Sequence, residues 1–324
     1  MKSGVSVIIC TYNGALRLPK TFEYLARQQS DFEWEIILVD NNSSDESSAI
    51  AVSVWNQLGR NVPLYVYREA KAGKYYALQL ALAKANYEYF VICDDDNGLS
   101  EDYLIKVFQL LRDHPEVGAV GGRSIAVVED GIVLPDWFAD YQEGYAIGRQ
   151  AKVSGYVPIK HGRLWGAGLA SRTVLYREVY NTLQLLLLDL KNQSVLTTED
   201  TEYCARLLLR GYRLFYEDSL LLYHYLPKSR LTEFYRDQIY KNFFLASKIL
   251  DKYRIAIKLK YNKSPKWLFK LRLLIISPLR LVIAKDQRSR DYQTAVLRFL
   301  CPFLFGNDVI IRKIKSFSSN KGMI

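Results

Sequence analysis

Four short apolar runs, separated by helix-length stretches, constrain this chain more than any other feature. VSVIIC (5–10), WEIILVD (34–40), PLYVYRE (63–69) and YEYFVICD (87–94) each read as a buried strand. Helices are predicted between them, over about 17–28, 49–58 and 75–85. Such strand–helix alternation predicts an α/β fold, a mostly parallel sheet with helices on both faces. Ligands of these sheets bind beyond the carboxyl ends of the strands. Three of the four runs end in polar residues: Thr11-Tyr12-Asn13, Asp40-Asn41-Asn42 and Asp94-Asp95-Asp96. No G-x-G-x-x-G follows the first run and no G-x-x-x-x-G-K-[ST] occurs, which argues against a dinucleotide fold and a P-loop.

After residue 100 the pattern loosens. A helix is predicted over 103–112 and a strand or strand pair over 117–128. The stretch 129–165, rich in Gly, Trp and Tyr, reads as a long functional loop. WGAGLASR (165–172) places small residues where backbone passes close to something. A helix is predicted within TTEDTEYCARLLLRGYRL (197–214), with Thr197 or Thr198 as N-cap and Arg210-Gly211 as its stop. LFYEDSLLLYHY reads as a strand, and from Leu226 onward the chain reads as helices.

Charge divides the chain at about the same place. From Leu226 to the C-terminus there are 22 Lys and Arg against 6 Asp and Glu, so the net +10 belongs to the tail and the front is mildly acidic. Two jobs are implied. The expected domains are 1–225, catalytic, and 226–324, a basic, mainly helical region. WLFKLRLLIISPLRLVIA (267–284) mixes large apolar residues with Lys270, Arg272 and Arg280, and suits either an interfacial segment on anionic lipid or a helical subdomain. Pro278 should break or kink a helix there. No stretch reaches the ~18 uncharged apolar residues of a membrane span. MKSGVSVIIC runs straight into a strand and reads as no secretory signal. The four cysteines form no C-x-x-C pair and suit free thiols in a reducing compartment. No recognition motif supports nucleic acid as the partner of the basic tail.

The chemistry centres on the acids. On a strand Asp94 and Asp96 would share one side, and two carboxylates sharing a site repel unless something positive lies between them. A divalent cation such as Mg²⁺ or Mn²⁺ would solve this and would neutralise a diphosphate; an acidic loop opening the next helix is the plainer alternative. Glu199-Asp200 falls in a first helical turn, where acids complement the helix dipole and where a carboxylate can serve as general base. Asp40 is either a turn residue or an acceptor for a base or ribose. His224 follows LLLY as a structural or ligating histidine. Lys71 and Lys74 flank a glycine and could meet phosphate.

Taken together, VSVIICTYNG, ILVDNNSSD, FVICDDDN, WGAGLASR and TTEDTEYCARLLLRGYRL resemble the family 2 glycosyltransferases with the GT-A fold, over roughly residues 4–232. The resemblance implies an inverting, metal-dependent transfer of one sugar from a nucleotide-sugar, UDP-linked, to a saccharide or lipid-linked saccharide in cell-surface polysaccharide synthesis. Thr11, Tyr12 and Asp40 match positions that hold uracil and ribose, with Asn13, Lys74 and Asp95 beside them at the nucleotide. Asp94 and Asp96 match the D-x-D that binds ribose and the metal–diphosphate, Asp96 more directly. His224 falls where some members supply a further metal or diphosphate contact. Asp200 matches the catalytic base and Glu199 its neighbour near the acceptor. Trp165, Gly166 and Ala167 match a segment lining the sugar site. Arg230 stands near the family's late Q-x-x-R-W motif, whose absence disfavours a processive synthase. The implied cofactor is Mn²⁺ or Mg²⁺. The implied location is cytoplasmic, peripheral on the inner face of the membrane. A sugar nucleotidyltransferase and a non-catalytic sugar-nucleotide-binding subunit are the alternatives.

Overall fold

The structure, a computed structural model, describes residues 1–190 and 198–319. The alternation appears as predicted. Strand β1 (Lys2–Thr11) leads to α1 (Leu18–Ala26), β2 (Trp34–Asp40), α2 (Ser47–Gln57), β3 (Leu64–Arg68), α3 (Lys74–Lys84) and β4 (Tyr87–Ile92). β1, β2 and β4 form because their residues are apolar on both faces, which only a sheet covered by helices accommodates; β3, expected as a buried strand, is instead the sheet's edge, and none of its residues is fully buried. Every residue of β2 is buried. The one charged side chain among them before its end, Glu35, is satisfied: it accepts hydrogen bonds from Ser6 Oγ at 2.7 Å and from the Asn86 backbone N–H at 2.8 Å.

β5 (Asn97–Leu99), α4 (Tyr103–Asp113) and β6 (Val117–Val127) follow. The segment expected as one long loop contains a short helix, α5 (Phe138–Tyr141), and β7 (Gly155–Tyr156). Then come β8 (Ala170–Arg172), α6 (Thr173–Thr182), α7 (Glu199–Arg210) and β9 (Arg213–Tyr225). The nine strands form one sheet in the order β3-β2-β1-β4-β8-β6-β9-β5, with β7 also on β9. β3, β2, β1 and β4 are mutually parallel; β8 runs against β4 and β6, and β6 and β9 are parallel again. The sheet is thus mostly parallel, as expected. Phe22, Leu25, Trp55, Leu104 and Val107 pack the helices on its buried strands.

The chain divides into two compact units. The first comprises 1–157, 164–178 and 213–239 and holds the whole sheet. The second comprises 158–163, 179–212 and 240–324. The boundary read from charge, between Tyr225 and Leu226, falls inside the first unit. The tail is helical: α8 (Glu233–Tyr261), α9 (Lys266–Ile283), α10 (Gln287–Leu300), α11 (Pro302–Phe305) and α12 (Val309–Ser319). Contrary to the expected break, α9 continues through Pro278. A proline removes one N–H from the ladder, and the remaining bonds of an 18-residue helix hold it together. In the second unit Tyr253, Ile249, Val296, Leu297, Ile314 and Phe317 are buried. No helix among the described residues is long and apolar enough to cross a membrane.

Candidate functional site

At the carboxyl end of β1 the chain turns sharply. Asn13 adopts a left-handed conformation, φ 50°. Gly14 follows where a Cβ would stand 2.1 Å from Thr11 Oγ1 and 2.4 Å from Asp95 Oδ2, so no side chain fits. The turn therefore presses directly onto the acidic segment. Thr11 Oγ1 donates to Asp95 Oδ2 at 2.6 Å, and Arg17 Nε and Nη2 donate to the two Asp95 oxygens at 3.0 and 2.8 Å. This fork is the strong, two-point kind of charge-assisted pairing. Burial lifts the Asp95 carboxyl above its ordinary value, against the pull of Arg17 and Thr11.

The premise that Asp94 and Asp96 share a strand face fails. β4 ends at Ile92, and the Asn97 N–H donates to the Asp94 carbonyl at 3.0 Å, closing a turn over the three acids. Each aspartate faces its own cation. Asp94 pairs with Lys74 at 2.5 Å, Asp95 with Arg17, and Asp96 Oδ2 with Arg230 Nη1 at 2.7 Å. Repulsion is relieved by the protein's own side chains, so it does not by itself demand a metal. Burial pushes Asp96 up, but His224 and Arg230 outweigh it and hold the carboxyl well below the usual range.

The need for a ligand shows elsewhere. Asp96 Oδ1, both side-chain polar atoms of Asn97, and His224 Nδ1 are buried without a hydrogen-bond partner. His224 Nε2 stands 3.6 Å from Asp96 Oδ1, beyond hydrogen-bond reach. β5 and β9 set this arrangement, because Asn97 registers directly against His224. Orphaned polar atoms at this density are costly in a folded protein and point to a missing partner. Asp96 and Asn97 line a cleft of about 520 Å³ with Arg17, Tyr24, Tyr225 and Ser229.

Among the described residues no three His, Cys, Asp or Glu side chains converge as a metal cage. The residues present do fit a hard divalent ion that takes one or two carboxylates and completes its shell from diphosphate and water. Asp96 Oδ1 supplies the open acceptor, with His224 beside it. Asp94, expected as a second ligand, is engaged by Lys74.

The other candidates are placed as follows. Asp40 is buried, and its oxygens accept from the Ser43 N–H at 2.8 Å and Ser48 Oγ at 2.9 Å. Burial raises its pKa, but these donors and Arg68 bring it below the ordinary value. These bonds hold the loop that follows β2. Asn13 binds the same loop: its Oδ1 accepts from the Ser44 N–H at 2.9 Å. Tyr12 is exposed. The Trp165 N–H donates to Gln150 Oε1 at 2.6 Å, and just after Gly166 and Ala167 the backbone of Gly168 and Leu169 bonds Ile92, two residues before Asp94. Gly168 has φ +73°, and a Cβ there would meet the Tyr103 hydroxyl at 2.4 Å.

The first unit thus gathers Thr11, Lys74, Asp94, Asp95, Asp96, His224 and Arg230 around one turn. Glu199 and Asp200 belong to the second unit, where they open α7. Thr198 occupies the N-cap position, but its hydroxyl is buried without a partner; Thr197 lies outside the described residues. The Thr201 N–H donates to Asp200 Oδ1 at 2.5 Å. Sequence reasoning missed Arg17 and Asn97. Arg17 was discoverable in part, because three adjacent acids require counter-charges and it follows the first-strand turn.

A profile of known proteins decides what this arrangement belongs to. Glycosyl transferase family 2 matches residues 6–167, half of the chain, from β1 to the segment that meets β4. The chain belongs to glycosyl transferase family 2. Its fold is of the GT-A type, and solved structures share that fold. S. aureus TarS, solved in complex with UDP, superimposes with a TM-score of 0.54 at 16% identity, covering 91% of each chain. The mannosyltransferase PcManGT from Pyrobaculum calidifontis, solved with GDP-Man and Mn²⁺, gives a TM-score of 0.52 at 19% identity, covering 98% of this chain and 79% of that one. The poly-beta-1,6-N-acetyl-D-glucosamine synthase of Staphylococcus aureus strain COL is 21% identical over 236 residues, 70% of this chain and 51% of the synthase. The chain spans between 16% and 51% of the length of the curated relatives it matches.

Proposed function

We propose that this chain transfers a single sugar, with inversion, from a UDP-linked donor to a hydroxyl of a saccharide or lipid-linked saccharide in cell-surface polysaccharide synthesis. The buried, orphaned polar set at Asp96 Oδ1, Asn97 and His224, of which Asp96 and Asn97 line the cleft, carries this reading. A nucleoside diphosphate supplies both donors and acceptors that such a set lacks. Solved relatives hold UDP or GDP-Man with Mn²⁺, which supports a nucleotide-sugar and a divalent ion.

The protein's residues divide the work. Arg230 stays beside the diphosphate through Asp96, and Lys74 waits at Asp94. The Arg17–Asp95–Thr11 brace fixes the turn that presents them. Asp200 accepts the proton of the attacking hydroxyl. Mn²⁺ or Mg²⁺ at Asp96, with His224 adjacent, would neutralise charge on the leaving diphosphate.

Calorimetry with UDP tests the donor site. Wild type should bind UDP with Mn²⁺ and lose most of that binding in EDTA, and Asp96→Ala should weaken the Mn²⁺-dependent binding at least about tenfold, the ~1.4 kcal/mol of one charge-assisted contact. Equal affinity for the variant and wild type would remove Asp96 from the site.

A second observation supports a location at an anionic membrane surface. Helix α9 exposes Trp267, Leu271, Ile275, Leu279 and Val282, and carries Lys266, Lys270, Arg272 and Arg280. An apolar face among cations suits an anionic bilayer surface. Deletion from residue 255 would test this badly, because it cuts α8 beside the buried Tyr253. Replacing Trp267, Ile275 and Leu279 by Ser should instead reduce sedimentation with anionic vesicles by more than about tenfold, since each buried side chain contributes roughly 1.5–3 kcal/mol. Undiminished sedimentation would leave α9 without this role.

A further inference from the structure

The second unit contains a cavity of its own, of about 550 Å³. Its floor is apolar, formed by Ala205 of α7, Ile257 of α8 and Phe269 of α9. Its rim is cationic: Lys160 and Arg163 from the turn at 158–163, and Arg254 and Lys258 from α8. Among the described residues no Asp or Glu lines it. Arg254 is held by Asp251 at 2.5 Å, outside the lining. Lys160 and Lys258 have no acid partner among the described residues; Lys258 lies over the Phe269 ring at 6.0 Å. The turn that carries Lys160 is fixed by the His161 N–H donating to the Pro158 carbonyl at 2.8 Å, so the cation is delivered by a closed turn.

Two lysines over an apolar floor, with no acid paired to either among the described residues, match a ligand that is anionic at one end and apolar behind it. Thr201 also lines the cavity, one residue after Asp200. A ligand anchored there keeps a neighbouring group close to that carboxylate. We propose that this cavity binds the phosphate of a phosphate-bearing acceptor, with Lys160 and Lys258 meeting the phosphate and Ile257 and Phe269 meeting the adjoining apolar segment. This rests on the reading of Asp200 as the base, and it names the class of acceptor. The phosphate can come from a lipid phosphate or from a phosphate-bearing glycan, and the two sources differ in how much the apolar floor adds.

Farnesyl phosphate, farnesol and methyl phosphate, titrated below micelle-forming concentrations into the full chain, separate the possibilities. Farnesyl phosphate should bind and farnesol should not. The double variant Lys160→Glu, Lys258→Glu should weaken farnesyl phosphate at least about tenfold, while the Ser variant of α9 keeps it, which sets aside attachment to the exposed helix face. Binding of farnesyl phosphate far above methyl phosphate identifies a lipid source, and equal binding a polar one. UDP titration of the same double variant serves as the control: retained UDP binding with no farnesyl phosphate or methyl phosphate binding in wild type overturns the acceptor site and leaves the donor site standing. Farnesyl phosphate affinity unchanged in the double variant overturns it as well. Loss of UDP binding in wild type would instead remove the transferase reading on which the proposal rests.

Discussion

Asp200→Asn is expected to lose about 10²- to 10⁴-fold of the transfer rate, the usual contribution of a positioned general base, while UDP binding stays at the wild-type level. The substitution is nearly isosteric. An amide oxygen can still accept from the Thr201 N–H, which now donates to Asp200 Oδ1 at 2.5 Å, so the first turn of α7 keeps its geometry. What disappears is the ability to take a proton from the acceptor hydroxyl. Asp200 also opens a twelve-residue helix, whose N-terminal N–H groups favour negative charge, and the neutral amide gives up that interaction too. Initial rates with a UDP-sugar, paired with UDP calorimetry, measure both halves of the prediction. Glu199→Gln is the control, since it changes the same turn by one charge without touching the proposed base. A rate for Asp200→Asn within about threefold of wild type would move the base elsewhere, and equal losses in both variants would make the effect one of turn electrostatics.

The parts of this fold that follow from local chemistry could be read directly. β1, β2 and β4 are doubly buried strands, and uninterrupted apolar runs such as VSVIIC admit few other structures in a chain of this length. The parts that depend on distant partners could not. β8 has three residues and inserts antiparallel between β4 and β6, a position no local pattern encodes. The three aspartates show the same limit at the site. Strand alternation assigned Asp94 and Asp96 to one face, but the chain leaves the strand at Ile92 and turns. Their partners, Lys74, Arg17 and Arg230, come from three separate places in the chain, up to 134 residues away. His224 was visible as a rare residue after an apolar run, while its place beside Asp96 depends on the register of β5 against β9. The charge boundary at Leu226 does not coincide with the division into units: the second compact unit starts its tail at Tyr240 and also takes 179–212 from the acidic front, where α7 packs with the tail's helix α12.

That packing carries the second large expected effect. Glu202 and Arg206 lie one turn apart on α7, and both side chains are fully buried. Glu202 accepts from the Leu186 and Leu187 N–H groups at 2.9 and 3.0 Å and from the Tyr253 hydroxyl at 2.9 Å. Arg206 donates to Tyr253 at 3.0 Å and to the carbonyls of Leu183 and Gln184, with the Tyr180 ring 4.9 Å away. Burial pulls the guanidinium pKa down, but Glu202 and the tyrosines raise it well beyond its ordinary value. Arg206→Ala should therefore destabilise the fold by about 3–5 kcal/mol, because it leaves a buried carboxylate and several carbonyls uncompensated. At roughly 2–4 °C per kcal/mol for domains of this size, the unfolding midpoint should fall by about 10 °C. Most of this cost is an unpaired charge rather than lost packing, so Glu202→Gln combined with Arg206→Met should be more stable than Arg206→Met alone. A midpoint for Arg206→Ala within about 3 °C of wild type would mean that water reaches the pair and that burial does not set its strength. The pair also fixes the helix whose first turn carries Asp200. A fold that spends a fully buried ion pair one turn past a candidate base gains orientation there, and in Arg206→Met, assayed well below its midpoint, that should appear as a lower transfer rate with unchanged UDP affinity.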